Sequence, residues 1–592
     1  PVIKPSKQDT QKDPTINIDG KTALLGDKVY YRVNIDASRL ADTAYKVWRL
    51  GMTDDYDQEY LTLDAKHVEI LDETGRDRTG EFNIQDKDGV LYAFARTVDT
   101  QIPATGETVP GDPQPGDLKA YSEKSDKDYD PLKDPSIDRS LLGHTYQVVM
   151  PMTVTKVKDG HTVKNTATQV TNDKHDKTNT VTNPLKEINP TKDVTVKVGG
   201  DSIDGKSVYL NHTFLYRLDS SILPPDRAYQ TVTDWGGTDR LNTEYDQYLG
   251  NWAVYASRDL YRDGQVLAAK GEKIAGSGFD SSKFGGNLFT VDAGDNGKVT
   301  VNATQAYLDL VSADNEHEAG WVLYLQCKRI AVADEVPNTW TETIDGQPRE
   351  SNKVVTKTPD MTPSIHLEKV DTPTLKQEGQ EQADRDDSKQ ALKMDADSIG
   401  ITFIITNTSK TDPATGDGAW FKASDLNLAD STIVGDAHVD MDSLAYPADW
   451  DTLVLKPGES VSVTGTLKGV REGETHTDRA IVTGTPLVEC APSNGDPFND
   501  KTDGGEGTDP EYSTGDVTEI DGKRLCADTQ TASNTDDWNG YRAKPLASTG
   551  TAVLGLAGGA LAVLLAGGSL LVFRKRHYAQ GSGRHTAVNA GK

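Results

Sequence analysis

An internal repeat constrains the fold of this 592-residue chain more than any other feature. Matching segments recur in the same order in two consecutive stretches. They are PSK at 5–7 with PTK at 190–192, NIDGK at 17–21 with SIDGK at 202–206, VYYRV at 29–33 with FLYRL at 214–218, DYDQ at 55–58 with EYDQ at 244–247, NT at 165–166 with NT at 338–339, and TNTV at 178–181 with SNKV at 351–354. Self-similarity of this kind predicts two copies of one domain.

The repeated segments have the composition of β-strands. Short runs rich in Val, Ile, Thr and Tyr, such as 29–35 and 145–150, are separated by Gly, Pro, Asn and Asp. Helical periodicity is scarce before the C-terminal region. We therefore predict an all-β protein of tandem Ig-like β-sandwich domains that form a stalk, followed by one C-terminal transmembrane helix.

The repeat and the composition divide the chain into four parts. Residues 1–186 and 187–360 are the two domain copies, and the joints between parts are short and contain Pro, which predicts semi-rigid spacers and a rod. Residues 361–545 are predicted to be an Ig-like stalk domain with an acidic, Gly-rich loop. Residues 546–592 hold a sorting signal, a membrane span and a basic tail. Since the chain begins with Pro1 and no signal peptide, we expect a mature form or a fragment.

The C-terminal part has three elements in a fixed order. Leu546, Ala547, Ser548, Thr549 and Gly550 precede an uncharged apolar run at 551–573, which is long enough to cross a bilayer as a helix. The basic residues 574–576 follow it and would stay on the cytoplasmic side. This order resembles the cell-wall sorting signal of Gram-positive surface proteins, although Ala547 replaces the usual Pro. The resemblance implies that a sortase cuts after Thr549 and joins it to peptidoglycan; an ordinary single-span anchor is the alternative.

Each repeat holds the residues that an intramolecular isopeptide bond requires. A Lys lies on the first strand, an Asn on the last strand, and acidic residues between them. Our choices are Lys7 and Lys192 as nucleophiles, Asn179 and Asn352 as acceptors, and Asp55 and Glu244 as assisting acids. The alternatives are Lys12 and Lys197, Asn165 and Asn338, and Asp57 and Asp246. Burial favours the neutral amine and the neutral acid, which are the reactive forms.

The two repeats also resemble a known family. Segments 18–21, 54–57, 151–154, 164–170 and 178–183 are similar to the C-terminal adherence domains of streptococcal antigen I/II adhesins. The resemblance covers about residues 5–360 and is looser in the second copy. It implies Lys–Asn isopeptide bonds assisted by an acidic residue, in stalks that present an adhesive head.

The third part offers further candidates. Cys490 and Cys526 are predicted to pair as a disulfide outside the cell, whereas Cys327 lies in an apolar strand and is predicted to be a buried thiol. Lys369 lies on a first strand and Asp478 near a late strand, so this part offers a further candidate for a cross-link, with an Asp as the acceptor.

Other classes of function find little support in the sequence. The net charge of −29 argues against nucleic acid as a partner. The His and Cys residues have no metal-ligand spacing, so we expect no metal and no cofactor. No catalytic constellation stands out.

We therefore predict a surface adhesin stalk, held in the cell wall on the extracellular face, that resists shear and presents a binding head. Its expected partners are sortase, peptidoglycan, the membrane before sorting, and an unidentified host or bacterial surface ligand. The alternatives are a covalent pilus subunit and a wall-anchored glycan-acting enzyme whose catalytic head precedes Pro1.

Overall fold

The computed structural model describes residues 2–102, 105–111, 116–130, 132–375, 385–491, 498 and 517–545. Within these ranges the chain is all-β, as the sequence predicts, with only short helices. None of the described helices is long and apolar enough to cross a membrane. The predicted span at 551–573, the LASTG segment before it and most of the acidic Gly-rich loop lie outside the described residues.

The strands form where apolar and polar residues alternate. Along Thr145–Val154 and Lys28–Asp36 every second side chain is buried in long stretches, and the two strands pair antiparallel over nine residues, from Thr145 opposite Asp36 to Thr153 opposite Lys28. Successive side chains of a strand point to opposite faces, so this alternation places one face of the sheet in the core.

The first domain is a sandwich of two five-stranded sheets. Its strands are β1 (Ser6–Thr10), β2 (Lys28–Asp36), β3 (Leu50–Asp55), β4 (Leu61–Leu63), β5 (Glu69–Asp72), β6 (Phe82–Lys87), β7 (Val90–Ala95), β8 (Thr97–Val98), β9 (Thr100–Gln101), β10 (Thr108–Val109), β11 (Ser136–Ile137), β12 (Thr145–Val154), β13 (Thr162–Asn165), β14 (Ala167–Thr171), β15 (Lys174–Lys177) and β16 (Val181–Pro184), with helix α1 (Leu118–Glu123). One sheet has the order β1-β2-β12-β4, with β5 also on β12; the other has the order β15-β14-β3-β7-β6. Tyr31, Val33, Met52, Ala93 and Met150 belong to the core between them.

The second domain repeats this architecture. Its strands are β17 (Thr191–Thr195), β18 (Thr213–Asp219), β19 (Trp235–Arg240), β20 (Asp246–Ala256), β21 (Leu260–Arg262), β22 (Gln265–Ala268), β23 (Lys273–Gly276), β24 (Phe289–Ala293), β25 (Lys298–Ala303), β26 (Trp321–Arg329), β27 (Ala333–Asn338), β28 (Trp340–Ile344), β29 (Gln347–Glu350) and β30 (Val354–Thr358), with helix α2 (Gln305–Ala313). The sheets have the orders β17-β18-β26-β20-β23 and β24-β25-β19-β28-β29. The core contains Trp235, Trp321 and Trp340, all nearly inaccessible to solvent.

The third domain is a smaller sandwich with two four-stranded sheets. Its strands are β31 (Ile365–Asp371), β32 (Leu392–Met394), β33 (Ser398–Asn407), β34 (Phe421–Lys422), β35 (Asn427–Val434), β36 (His438–Val439), β37 (Val454–Leu455), β38 (Ser460–Lys468), β39 (Thr475–Gly484), β40 (Leu487–Glu489), β41 (Val517–Ile520), β42 (Lys523–Ala527) and β43 (Ala532–Arg542), with helix α3 (Thr372–Leu375). The sheets have the orders β31-β33-β38-β36 and β32-β43-β39-β35. Leu367, Phe403, Val463, Val482 and Trp538 form part of the core.

Single turns of 3₁₀-helix connect several strands. They lie at Ala65–His67, Thr79–Glu81, Asp126–Asp128, Arg139–Leu141, Ser282–Phe284, Asp295–Gly297, Ser388–Gln390, Ala423–Asp425 and Met441–Ser443.

Neighbouring domains contact one another beside the joints. The backbone N–H of Thr22 donates to the carbonyl of Asp226 at 2.8 Å, and the N–H of Ala228 donates to the carbonyl of Thr22 at 2.7 Å. Ser207 of the second domain donates its hydroxyl to Asp412 of the third at 2.8 Å. Hydrogen bonds between neighbouring domains therefore support both joints, the one between the first and second domains and the one between the second and third.

Candidate functional site

A buried lysine lies between the two sheets of the first domain. Lys7 is on β1, and its Nζ forms an ion pair with the carboxylate of Asp54 on β3, on the opposite sheet. Both side chains are fully shielded from solvent. Nζ also lies 4.7 Å from the centre of the Tyr31 ring. Burial lowers the pKa of Lys7, although Asp54 opposes this effect. The sandwich thus holds an amine in a setting that favours its neutral form.

A buried asparagine completes this group. Asp54 is directly opposite Ala167 in the antiparallel pair of β3 and β14, and Asn165 lies two residues before Ala167. Tyr31, whose ring lies beside the Lys7 amine, interacts with both Asp54 and Asn165, so Asn165 reaches the same interior as Asp54. Asn165 is fully buried. Its carboxamide has no hydrogen bond of normal geometry among the described residues, and Tyr31 is a polar neighbour. A buried amide without such partners is rare.

The second domain contains the same group. Lys192 on β17 forms an ion pair with Asp239 on β19, again with both side chains fully buried, and its Nζ lies 4.6 Å from the Tyr216 ring centre. Asp239 is directly opposite Trp340, and Asn338 lies two residues before Trp340. Burial lowers the pKa of Lys192. The register that joins acid and asparagine is therefore identical in the two domains.

The lysine, aspartate and asparagine of each of these two domains are the groups that formation of an amide between two side chains requires. A neutral lysine amine is a nucleophile, and a carboxylic acid can donate a hydrogen bond to a carboxamide oxygen and polarise its carbon. The ion pair of Lys7 with Asp54 differs from the neutral amine and neutral acid by the transfer of a single proton. The buried pair can therefore reach the reactive state without gaining or losing charge.

The structure places our first choice of acceptors, Asn179 and Asn352, against the main chain of the two lysines. The side chain of Asn179 is bound to the main chain of Lys7: its Oδ1 accepts from the Lys7 N–H and its Nδ2 donates to the Lys7 carbonyl, each at 2.9 Å. Asn352 binds the main chain of Lys192 in the same way, at 2.8 Å for each bond. These carboxamides lie at exposed positions and engage the backbone, while the lysine amine points inward.

The structure places our first choice of acids, Asp55 and Glu244, at exposed positions. Asp55 follows Asp54 on the same strand and therefore faces solvent. Glu244 lies in the exposed connection between β19 and β20. Neither is placed beside the lysine amine.

The alternative acids and lysines have other neighbours. Asp57 lies 2.9 Å from Nε2 of His161. Asp246 is buried, but it accepts from Tyr216 at 2.7 Å and from Arg329 at 2.8 Å. Lys12 is exposed and Lys197 is half-buried. Of the residues that we proposed first, only Lys7 and Lys192 lie in the buried groups.

Sequence comparison of the repeats misses Asp54 and Asp239, because the alignment rests on the Tyr-Asp-Gln segment that follows each strand. The connection to that segment is longer in the second domain, so the alignment passes over the strand residues. The sequence nevertheless contains a pattern that identifies these two aspartates. Each lysine is followed by an aspartate at a separation of 47 residues, in Lys7 with Asp54 and in Lys192 with Asp239.

The three cysteines occupy two kinds of environment. Cys490 and Cys526 form a disulfide with an S–S distance of 2.05 Å, which joins the end of β40 to β42. Cys327 on β26 is a free thiol and is fully buried, as predicted. The sorting residues 546–550 lie outside the described part of the chain.

Comparisons with known families match the first two domains. Residues 5–185 match the family described as the cell surface antigen I/II C2 terminal domain, and residues 189–359 match the family described as the cell surface antigen C-terminus. Among curated proteins, the Aggregation substance of Enterococcus faecalis is 29% identical over 368 residues. That match covers 60% of this chain but 24% of the relative, so the chain spans about a quarter of its length.

Solved structures of antigen I/II C-terminal domains are also similar to this chain. The C-terminal domain of the Streptococcus pyogenes antigen I/II-family protein AspA is 23% identical, with a TM-score of 0.46, and the match covers 60% of this chain and 100% of that one. The C-terminal domain of the Streptococcus agalactiae antigen I/II polypeptide BspA is 19% identical, with a TM-score of 0.44 and the same coverage.

Proposed function

The first two domains of this chain belong to the cell surface antigen I/II family of C-terminal domains, and from that premise we propose that they are covalently cross-linked segments of an adhesin stalk. In the first domain the bond joins Lys7 to Asn165 with Asp54 as the assisting acid. In the second it joins Lys192 to Asn338 with Asp239 as the acid. The observation that carries the proposal is the buried lysine–aspartate pair with an asparagine in identical register in both domains.

The bond forms by a single displacement. The neutral Nζ of Lys7 attacks the carboxamide carbon of Asn165, while the protonated Asp54 polarises the carboxamide oxygen. The C–N bond to the amide nitrogen breaks, that nitrogen takes one proton from Nζ and leaves as ammonia, and a secondary amide remains. The chain's own residues supply every group for this step.

The consequence is mechanical. Each bond would tie the first strand of a domain to a strand near its end, and so closes a loop of well over about a hundred residues. In the chain-entropy description such a closure stabilises the folded state by about 5 kcal/mol. The larger effect is kinetic, because the domain cannot be extended from its ends. This suits a stalk under shear.

Anchoring completes the proposed role. The LASTG segment at 546–550 and the apolar run after it have the order of a sorting signal. We therefore place the covalent link to peptidoglycan at Thr549, with sortase as the enzyme that makes it. The stalk would then hold a binding head away from the cell.

Peptide mapping of the intact ectodomain tests the cross-links. Trypsin should release residues 1–12 joined to 165–174, and residues 187–197 joined to 330–349, each lighter than the separate peptides by about 17 Da for the lost ammonia. Attachment to 178–186 or 350–353 would instead assign the bonds to Asn179 or Asn352. Free, unmodified peptides throughout would refute the proposal.

A further inference from the structure

The third domain contains a buried lysine with two carboxylates. Nζ of Lys369 on β31 lies 2.5 Å from Oδ2 of Asp430 on β35 and 2.6 Å from Oδ2 of Asp478 on β39. The three side chains are between 0% and 2% exposed. Neither family match extends to this domain. The group therefore has to be interpreted from its own geometry.

The strand register in this domain is the one found in the first two. Asp430 is directly opposite Ala480 in the antiparallel pair of β35 and β39, and Asp478 lies two residues before Ala480. In the first domain the corresponding positions are Asp54 and Asn165. Asp430 thus occupies the place of the acid, and Asp478 occupies the place of the asparagine.

The lysine also has equivalent surroundings. Lys369 lies on the first strand of its domain, and its Nζ is 5.5 Å from the centre of the Phe403 ring, where Tyr31 and Tyr216 lie near the other two lysines. Its backbone N–H donates to Asp536 on the last strand at 2.6 Å. Asn179 and Asn352 hold the backbone N–H of the lysine in the same manner.

We propose that Lys369 and Asp478 form a third intramolecular isopeptide bond, a Lys–Asp amide, with Asp430 as the assisting acid. The amine of Lys369 attacks the carboxyl carbon of Asp478, a C–O bond of that carboxyl breaks, and water leaves. The inference extends the cross-linking proposed for the first two domains and rests on the same chemistry. It differs in the acceptor and in the molecule released.

The proton inventory of the group permits this step. Burial raises the pKa of Asp430 to about 6, in spite of the opposing charge of Lys369. Burial would also raise the pKa of Asp478, but His476 and Lys369 lower it below its usual value. Nε2 of His476 lies 3.1 Å from Oδ2 of Asp478. With one proton on Asp430, transfer of a second from Lys369 to Asp478 produces a neutral amine and two neutral acids without any change in net charge.

The position of the strands explains what the bond would do. Strand β39 lies inside its sheet, between β43 and β35, whereas β35 is at the edge and largely exposed. A bond from β31 to β39 therefore connects the two sheets through an interior strand. All three domains of the stalk would then contain a covalent tie that starts at their first strand.

Peptide mapping of the reduced ectodomain tests this bond separately from the other two. Modification of Lys369 blocks cleavage there, so trypsin should release residues 358–376 joined to 472–479, lighter than the separate peptides by about 18 Da. Attachment to 423–468 would assign the bond to Asp430 and overturn the proposed roles of the two aspartates. Unmodified 472–479 in full yield would overturn the bond itself, while the Lys–Asn peptides of the first two domains would still report on the proposed function.

A matched pair of variants tests the acceptor. Asp478→Asn should still close, now with loss of ammonia, and its joined peptide should have the same mass as that of the wild type, because both reactions yield the same amide. Asp478→Ala should leave residues 358–369 and 472–479 free. A free peptide in Asp478→Asn, with the fold intact by circular dichroism, would contradict the proposal. The wild-type map alone decides the question if Asp478→Ala does not fold.

Discussion

The carboxamide of Asn179 binds the main chain of Lys7 through two hydrogen bonds, one from the Lys7 N–H and one to the Lys7 carbonyl, each 2.9 Å long. The amine of the same lysine points the other way, into the core, where it meets Asp54. One lysine is therefore held by two different sets of residues. The hydrogen bonds from Asn179 position the backbone of Lys7, and the buried Asp54 sets the chemistry of its amine.

The two asparagines of the first domain can be separated by substitution. We expect Asn165→Ala to abolish the 17 Da loss of the first domain, since it removes the acceptor carbon. Asn179→Ala should retain that loss. It should lower the free energy of unfolding by about 1–3 kcal/mol through the lost hydrogen bonds. Intact mass and thermal unfolding measure the two effects. Loss of the cross-link in Asn179→Ala alone would contradict the assignment.

Adjacent aspartates give a second matched pair. Asp54→Asn keeps the shape of the buried side chain but removes the acid, so the cross-link should form much more slowly or not at all. Asp55→Asn, on the exposed face of the same strand, should leave it unchanged. The fraction of joined peptide 1–12 with 165–174 is the measurement. Equal yields in both variants would remove Asp54 from the mechanism.

The second domain allows the same comparison. Asp239→Asn should prevent the joining of peptides 187–197 and 330–349, and the exposed Glu244→Gln should not. The first domain serves as the internal control, since its bond should form normally in both variants. A failure of both bonds in Asp239→Asn would indicate a general folding defect.

Asp9 should make the stability of the first domain depend on pH. It is fully buried on β1, and burial raises its pKa from 3.8 to about 7. Because the folded-state pKa is the higher one, the stabilising effect of its protonation is complete below about pH 4 and is lost as the pH rises through about 7. The free energy of unfolding of Asp9→Asn, relative to that of the wild type, should therefore increase from pH 5 to pH 8 by on the order of 3 kcal/mol.

The melting temperatures of the two proteins at pH 5 and pH 8 check this prediction. The positive charge of Lys7 lowers the pKa of Asp9. Formation of the amide removes that charge, so cross-linking should raise the pKa of Asp9 further. A difference between variant and wild type that does not change with pH would show that Asp9 does not titrate in this range.

The disulfide should stabilise the third domain selectively. Cys490 and Cys526 are 36 residues apart, and closure of a loop of this length contributes about 4 kcal/mol in the chain-entropy description. Reduction, or the double substitution Cys490→Ser with Cys526→Ser, should lower the melting transition of this domain only. Cys327 should stay inaccessible to thiol reagents in the folded chain, because it is fully buried.

The sequence by itself determined the fold class and the repeat. Alternation of apolar and polar residues with a period of two is a local property, so the strands and the all-β architecture could be predicted from it. The lysines could also be found, because they lie close to the start of each repeat. The constant separation of 47 residues to Asp54 and Asp239 shows that the acids were within reach of the sequence as well.

Only the tertiary structure decided which residues meet. Asp54 and Asp55 are neighbours in sequence but point to opposite faces of one strand, and a shift of one residue in register would exchange them. The place of Asn165 depends on the pairing of β3 with β14, between segments more than a hundred residues apart. The equivalence of Asp478 to the two asparagines rests on the same cross-strand register, which long-range pairing sets and local sequence does not.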